Sequence, residues 1–137
     1  MTITRSALLL LGAVLISATT WAQDSAVAKR PTLHLVAMVE RGQYGIAFEP
    51  MRTYAAPGDT VRFVQKGALP HNVLFRSGPP AAAVDSIESP MLLEAGATWD
   101  VVLDSRFVPG KYHFVCVPHE TLGMAGLLYV EPAAAAP

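Results

Sequence analysis

Short runs of alternating apolar and polar residues, broken by Gly and Pro, make up most of the chain. Pro31 to Glu40 alternates, with apolar Leu33, Leu35, Ala37 and Val39. Gln43 to Pro50 is a second run. Thr60 to Gln65 places Val61 and Phe63 on one face and Arg62 on the other, and His71 to Arg76 follows. Thr98 to Asp104 sets Trp99, Val101 and Leu103 against Asp100 and Asp104. Lys111 to Val117 and Ala125 to Val130 complete the set. A two-residue period is that of strands with one buried face. Ala56-Pro57-Gly58-Asp59 and Pro109-Gly110 are turn signals between such runs. Ser77 to Ala97, with Pro79-Pro80, is the least strand-like stretch and reads as a loop with one helical turn. No long 3.6-residue period follows residue 22. The pattern predicts an all-β fold, a Greek-key β-sandwich with one short helical or irregular insertion.

The first 22 residues break the pattern. Arg5 gives a positive start, Ala7 to Ala18 is apolar apart from Ser17, and Thr20-Trp21-Ala22 precedes polar Gln23-Asp24. This is the layout of a secretory signal cleaved after Ala22, and the apolar run falls short of the roughly 20 residues of a spanning helix. Residues 23–30 then read as a flexible leader, 31–132 as one domain and 133–137 as a disordered tail. No second apolar segment is long enough for stable membrane insertion after cleavage. The expectation is an exported monomer, in the periplasm of a bacterium. The full chain has ten Lys/Arg and eleven Asp/Glu, a formal charge of −1. Charges of both signs are interspersed without a basic patch, which argues against nucleic acid as a partner.

Cys116 is the only cysteine. In an oxidising compartment a lone thiol is buried, paired with another chain or held by a metal. Tyr112, Phe114 and Cys116 share one strand face, and the large apolar rings point that face inward. Cys116 therefore ends an inward-facing row. Val117-Pro118-His119-Glu120-Thr121-Leu122-Gly123-Met124 follows, giving a C-x2-H-x4-M spacing, with Gly123 and Gly126 expected to let the loop turn tightly. A thiolate, an imidazole and a thioether together select copper. Two His and one Cys in a plane with a weak axial Met is the arrangement of electron-transfer copper sites. The second histidine comes from elsewhere. His34 and His113 read as structural or surface residues. His71, in Leu69-Pro70-His71-Asn72-Val73 at a strand entrance, is the best candidate.

On these pieces the chain resembles the cupredoxins, in particular the plastocyanin and pseudoazurin branch. The matching stretches are Ala55-Ala56-Pro57-Gly58-Asp59-Thr60-Val61, Pro70-His71-Asn72-Val73, Gly110-Lys111-Tyr112, and Cys116-Val117-Pro118-His119 through Met124-Ala125-Gly126. The resemblance implies one copper bound by His71, Cys116, His119 and Met124, with Asn72 bracing the site by a hydrogen bond. Plastocyanins carry Tyr directly before the ligand Cys, under an acidic patch. Here that residue is Val115, and Ser77 to Glu94 carries only Asp85, Glu88 and Glu94. Both departures lean toward a pseudoazurin-like or general bacterial carrier.

The sequence thus points to a mononuclear blue-copper protein rather than an enzyme. A Cys–His nucleophile would lack an orienting Asp or Asn and leave Met124 idle. A multicopper oxidase needs more than four histidines, and a thiolate-bridged binuclear site needs a second Cys. The rival is a copper chaperone or store, which uses the same soft ligands but releases the metal. For a carrier, the edge of His119 is the expected electron port. Leu69, Pro70, Pro118, Leu122 and Gly123 would frame it for transient docking of redox proteins.

Overall fold

The computed structural model describes residues 30–42 and 45–133. The proposed signal, residues 23–29 of the leader, residues 134–137 of the tail, and Gln43 and Tyr44 lie outside the described residues. Among the described residues, eight strands form two four-stranded sheets. They are β1 (Leu33–Glu40), β2 (Ile46–Glu49), β3 (Arg52–Ala55), β4 (Thr60–Gln65), β5 (Leu74–Ser77), β6 (Thr98–Val102), β7 (Gly110–Val115) and β8 (Ala125–Val130). One sheet has the order β2-β1-β4-β6 and the other β3-β8-β7-β5. The β1–β4 and β3–β8 pairs are parallel and the rest antiparallel. The fold is the expected β-sandwich. Among the described residues no helix is long and apolar enough to cross a membrane.

The inner faces meet at three phenylalanines. Phe48 on β2 and Phe63 on β4 stand edge-on to each other and to Phe114 on β7, at centroid distances of 6.1, 4.9 and 5.2 Å. Edge-to-face pairs of this kind add about 0.5–1.5 kcal/mol each beyond their burial. Phe114 thereby ties the second sheet to the first, and its strand continues directly to Cys116.

The inward row of β1 is not the alternating set Leu33, Leu35, Ala37 and Val39. Val36 and Met38 are fully buried, while Leu33 and Leu35 are 49% and 58% exposed. Both faces of Leu33–Glu40 are apolar, so a two-residue period cannot choose between them. Pairing decides, placing Val36 beside Phe63 and Met38 beside Phe48. His34 shares that parity, and its Nε2 lies 2.9 Å from Asp59 Oδ2. Asp59 also accepts the Thr32 and Ala56 amides, fixing the turn in which Gly58 takes φ +87°.

The 78–97 stretch contains no helical turn. It runs beside the chain entering β5 as a broken edge, with isolated bridges His71–Leu92 and Leu74–Glu88. His71 exchanges both backbone hydrogen bonds with Leu92, at 3.2 and 2.8 Å. The Ser89 hydroxyl accepts the Val73 amide at 2.9 Å. Val84, Ile87 and Leu92 bury their side chains beneath this edge. The irregular insertion is therefore what fixes the backbone on either side of His71.

Gly126 does not belong to the tight turn. It sits in β8 opposite Phe114, and a Cβ there would overlap the Phe114 ring. Gly126→Ala should consequently destabilise the fold by about 1–3 kcal/mol through overpacking. Urea unfolding of the two proteins measures this directly.

Candidate metal centre

Three chain segments converge at one end of the sandwich. His71 lies between β4 and β5, Cys116 follows the last residue of β7, and a 3₁₀ helix, Val117–Leu122, carries His119. Pro118 sits in the first turn of that helix, where no backbone donor is needed. Gly123 ends it in the left-handed region, at φ +85°, and its amide reaches back to the Glu120 carbonyl at 2.9 Å. This left-handed cap turns the chain into β8. The Cys116 amide donates to the Met124 carbonyl at 3.1 Å and the Met124 amide to the His119 carbonyl at 3.2 Å. These bonds draw Cys116, His119 and Met124 into one closed loop.

Asn72 fastens the loop to the His71 segment. Its Oδ1 accepts the Val117 amide at 2.8 Å, and its Nδ2 donates to Glu88 Oε1 at 2.9 Å. On the exposed side, Arg76 makes a two-pronged ion pair with Glu120, at 3.2 and 2.6 Å. The sequence had marked Asn72 but neither Glu88 nor Arg76.

His71 Nδ1, His119 Nδ1 and Cys116 Sγ face one another. The separations are 3.1 Å between the nitrogens, and 3.5 and 3.4 Å from sulfur to His71 and His119. A point equidistant from the three lies about 1.9 Å from each, against roughly 2.0–2.3 Å for imidazole nitrogen and thiolate sulfur on a tetrahedral metal such as zinc. The donors already stand where a single ion would be bound. His71, Cys116 and Met124 are completely buried, whereas His119 is half-buried.

Burial shapes the electrostatics. Desolvation pushes the Cys116 thiol upward, opposed by the backbone amides of Asn72 and His119, which favour the thiolate. His71 is pushed down, first by desolvation and then by His119, with Glu40 acting in the opposite sense. His71 Nε2, the nitrogen turned away from the cluster, is buried without a hydrogen-bond partner. Glu40 Oε1 lies 3.9 Å from it.

Leu69, Pro70, Pro118, Leu122 and Gly123 are all exposed. Leu69, His119 and Leu122 share a shallow recess with Glu40, Gly42, Gly45 and Ile46. Gly123 belongs to a neighbouring depression with Phe48, Met51 and Ala125. The recess thus contains a carboxylate that the sequence had not suggested. Val115, on the strand face opposite Cys116, is fully buried.

A two-sheet β-sandwich with a buried His–Cys–His cluster at one end defines a cupredoxin. The family model described as copper binding proteins, plastocyanin/azurin family, matches residues 34–131. This chain belongs to that family, and its cofactor is one copper ion. It is 37% identical to plastocyanin from Vicia faba over 91 residues, covering 63% of this chain and 89% of that one. With plastocyanin from Prochlorothrix hollandica it shares 36% over 90 residues, 65% and 66% of the two chains. Among solved structures, oxidised plastocyanin from Dryopteris crassirhizoma superposes with a TM-score of 0.59 at 24% identity, over 71% of this chain and 99% of that one. A purple cupredoxin from Nitrosopumilus maritimus gives 0.56 at 20%, over 72% and 99%. The two structural likenesses are likenesses of fold.

Because the folded chain holds His71 below its ordinary 6.5, it binds fewer protons there than the unfolded chain does. Stability carried by neutral His71 is complete above pH 6.5 and is lost as pH falls toward the lowered folded value. In metal-free protein, an NMR titration should place the His71 midpoint below 6.5, with thermal stability falling over the same window.

Proposed function

We propose that this chain is an exported single-electron carrier whose copper is held by His71, Cys116, His119 and Met124. The observation that carries the reading is the buried Nδ1–Sγ–Nδ1 triangle, with only His119 reaching toward solvent. When bound, copper supplies a one-electron Cu(I)/Cu(II) couple. The protein's part is to keep the donors still. Asn72 ties the residue after Cys116 to the residue after His71, and the His71–Leu92 bridge fixes the backbone of the first imidazole. Such support holds donor geometry constant between redox states. Met124 would be the fourth residue to hold the copper, since its backbone closes the same loop and its side chain is buried.

Electrons leave by outer-sphere transfer at the His119 edge. Leu69 and Leu122, 45% and 70% exposed beside it, form a small apolar docking surface for transient redox partners. The protein works as a monomer. Its N-terminal pattern directs it out of the cytoplasm, in a bacterium to the periplasm.

Addition of Cu(II) to metal-free protein should give one intense blue thiolate band per chain. Cys116→Ser should abolish the band and leave the β circular dichroism intact; a blue Cys116→Ser protein would sink the donor assignment. Met124→Gln should remain copper-binding with a lower reduction potential, because an oxygen donor favours Cu(II). An unchanged voltammogram would reduce Met124 to core packing.

The port has its own test. Leu122→Glu adds a charge on the most exposed apolar residue of the recess without touching a donor. Electron self-exchange should slow at low salt, since two copies then bring like charges together, and should recover as salt is raised. Exchange-broadened NMR lines of mixed oxidised and reduced protein report the rate. No change at low salt would place the port elsewhere.

A further inference from the structure

We propose that Glu40 is the outer partner of His71: its carboxylate accepts a hydrogen bond from His71 Nε2–H, orients the imidazole toward copper and lowers the reduction potential. The inference rests on the donor set above, with His71 bound through Nδ1. That nitrogen faces Cys116 and His119, so its lone pair is free for a metal only when the proton sits on Nε2. Nε2–H is then a buried donor with no partner, an arrangement that costs free energy. Metal-bound histidines commonly give their second N–H to a carboxylate, a carbonyl or water. Glu40 Oε1 lies 3.9 Å from Nε2, about 1 Å beyond hydrogen-bond length, and on this proposal it closes that gap when His71 presents Nε2–H to it.

The carboxylate is seated rather than adrift. Glu40 ends β1, and its side chain is 26% exposed. Its Oε1 accepts the Leu69 amide at 2.5 Å. Gly67 leaves the space it occupies, since a Cβ there would fall on the carboxyl group. The bend Gly67–Leu69, two residues before the ligand, is therefore built around this charge. Its influence already reaches the ring, where it opposes the desolvation of protonated His71. A fixed negative charge behind one ligand favours the more positive metal state, and partial burial limits its screening.

Three variants separate the charge from the hydrogen bond. Glu40→Gln keeps an acceptor and removes the charge, Glu40→Ala removes both, and Glu131→Gln neutralises an exposed carboxylate past the far end of β8. Glu40→Gln should stay blue with a clear upward shift of potential, larger than that of Glu131→Gln. In metal-free protein, ¹⁵N NMR should show the Nε2–H tautomer of His71 in the parent and in Glu40→Gln. In Glu40→Ala that tautomer should weaken and the proton should exchange faster with solvent. Equal shifts for Glu40→Gln and Glu131→Gln, or an unaltered His71 tautomer in Glu40→Ala, overturns the proposal. A parent that never turns blue overturns the donor set instead, and the metal-free tautomer measurement still decides whether Glu40 holds His71.

Discussion

Everything at the metal end hangs from one face of β7. Phe114 enters the cluster with Phe48 and Phe63, and two residues later, on the same face, Cys116 ends the row. The strand period makes the two positions inseparable. Whatever locks Phe114 between the sheets also sets the height and direction of the Cys116 sulfur. Gly126 matters for the same reason, since it leaves the Phe114 ring room beside β8. The hydrophobic core and the metal site are thus one mechanical unit.

The opposite wall is built by different means. His71 stands on irregular chain, held by paired bonds to Leu92, by the neighbouring Asn72 and by the cradle around Glu40. Polar contacts substitute there for the packing that fixes Cys116. Burial pushes the His71 imidazole down and the Cys116 thiol up, so both resist charging.

Much of this was legible in the chain. The C-x2-H-x4-M spacing names donors that share one loop, and a single loop is a local feature. His71 was reached by exclusion among four histidines, and the fold brings it to the cluster. Strand positions followed from alternation wherever one face was polar, as in Thr60 to Gln65. Alternation failed at β1, where both faces are apolar and the pairing with β2 and β4 decides. Gly126 beside a loop looks like a hinge in the sequence, but its real constraint is a ring from the neighbouring strand. Glu40 was invisible, since it stands 31 residues before His71 in the chain and carries no spacing signal. The 3₁₀ helix was likewise hidden, because six residues are too few to show a period.

The distribution of donors along the chain bears on how copper and folding are linked. Cys116, His119 and Met124 fall within nine consecutive residues, so an unfolded chain keeps them within reach of one another. His71 is the donor that only the tertiary structure delivers. A metal stabilises a fold by the difference between its affinities for the native and the unfolded chain. On the proposed donor set, copper retained by the local trio cancels from that difference. What copper adds to thermodynamic stability is then the increment contributed by His71 and by the rigidity of the pocket, a smaller quantity than the full binding energy.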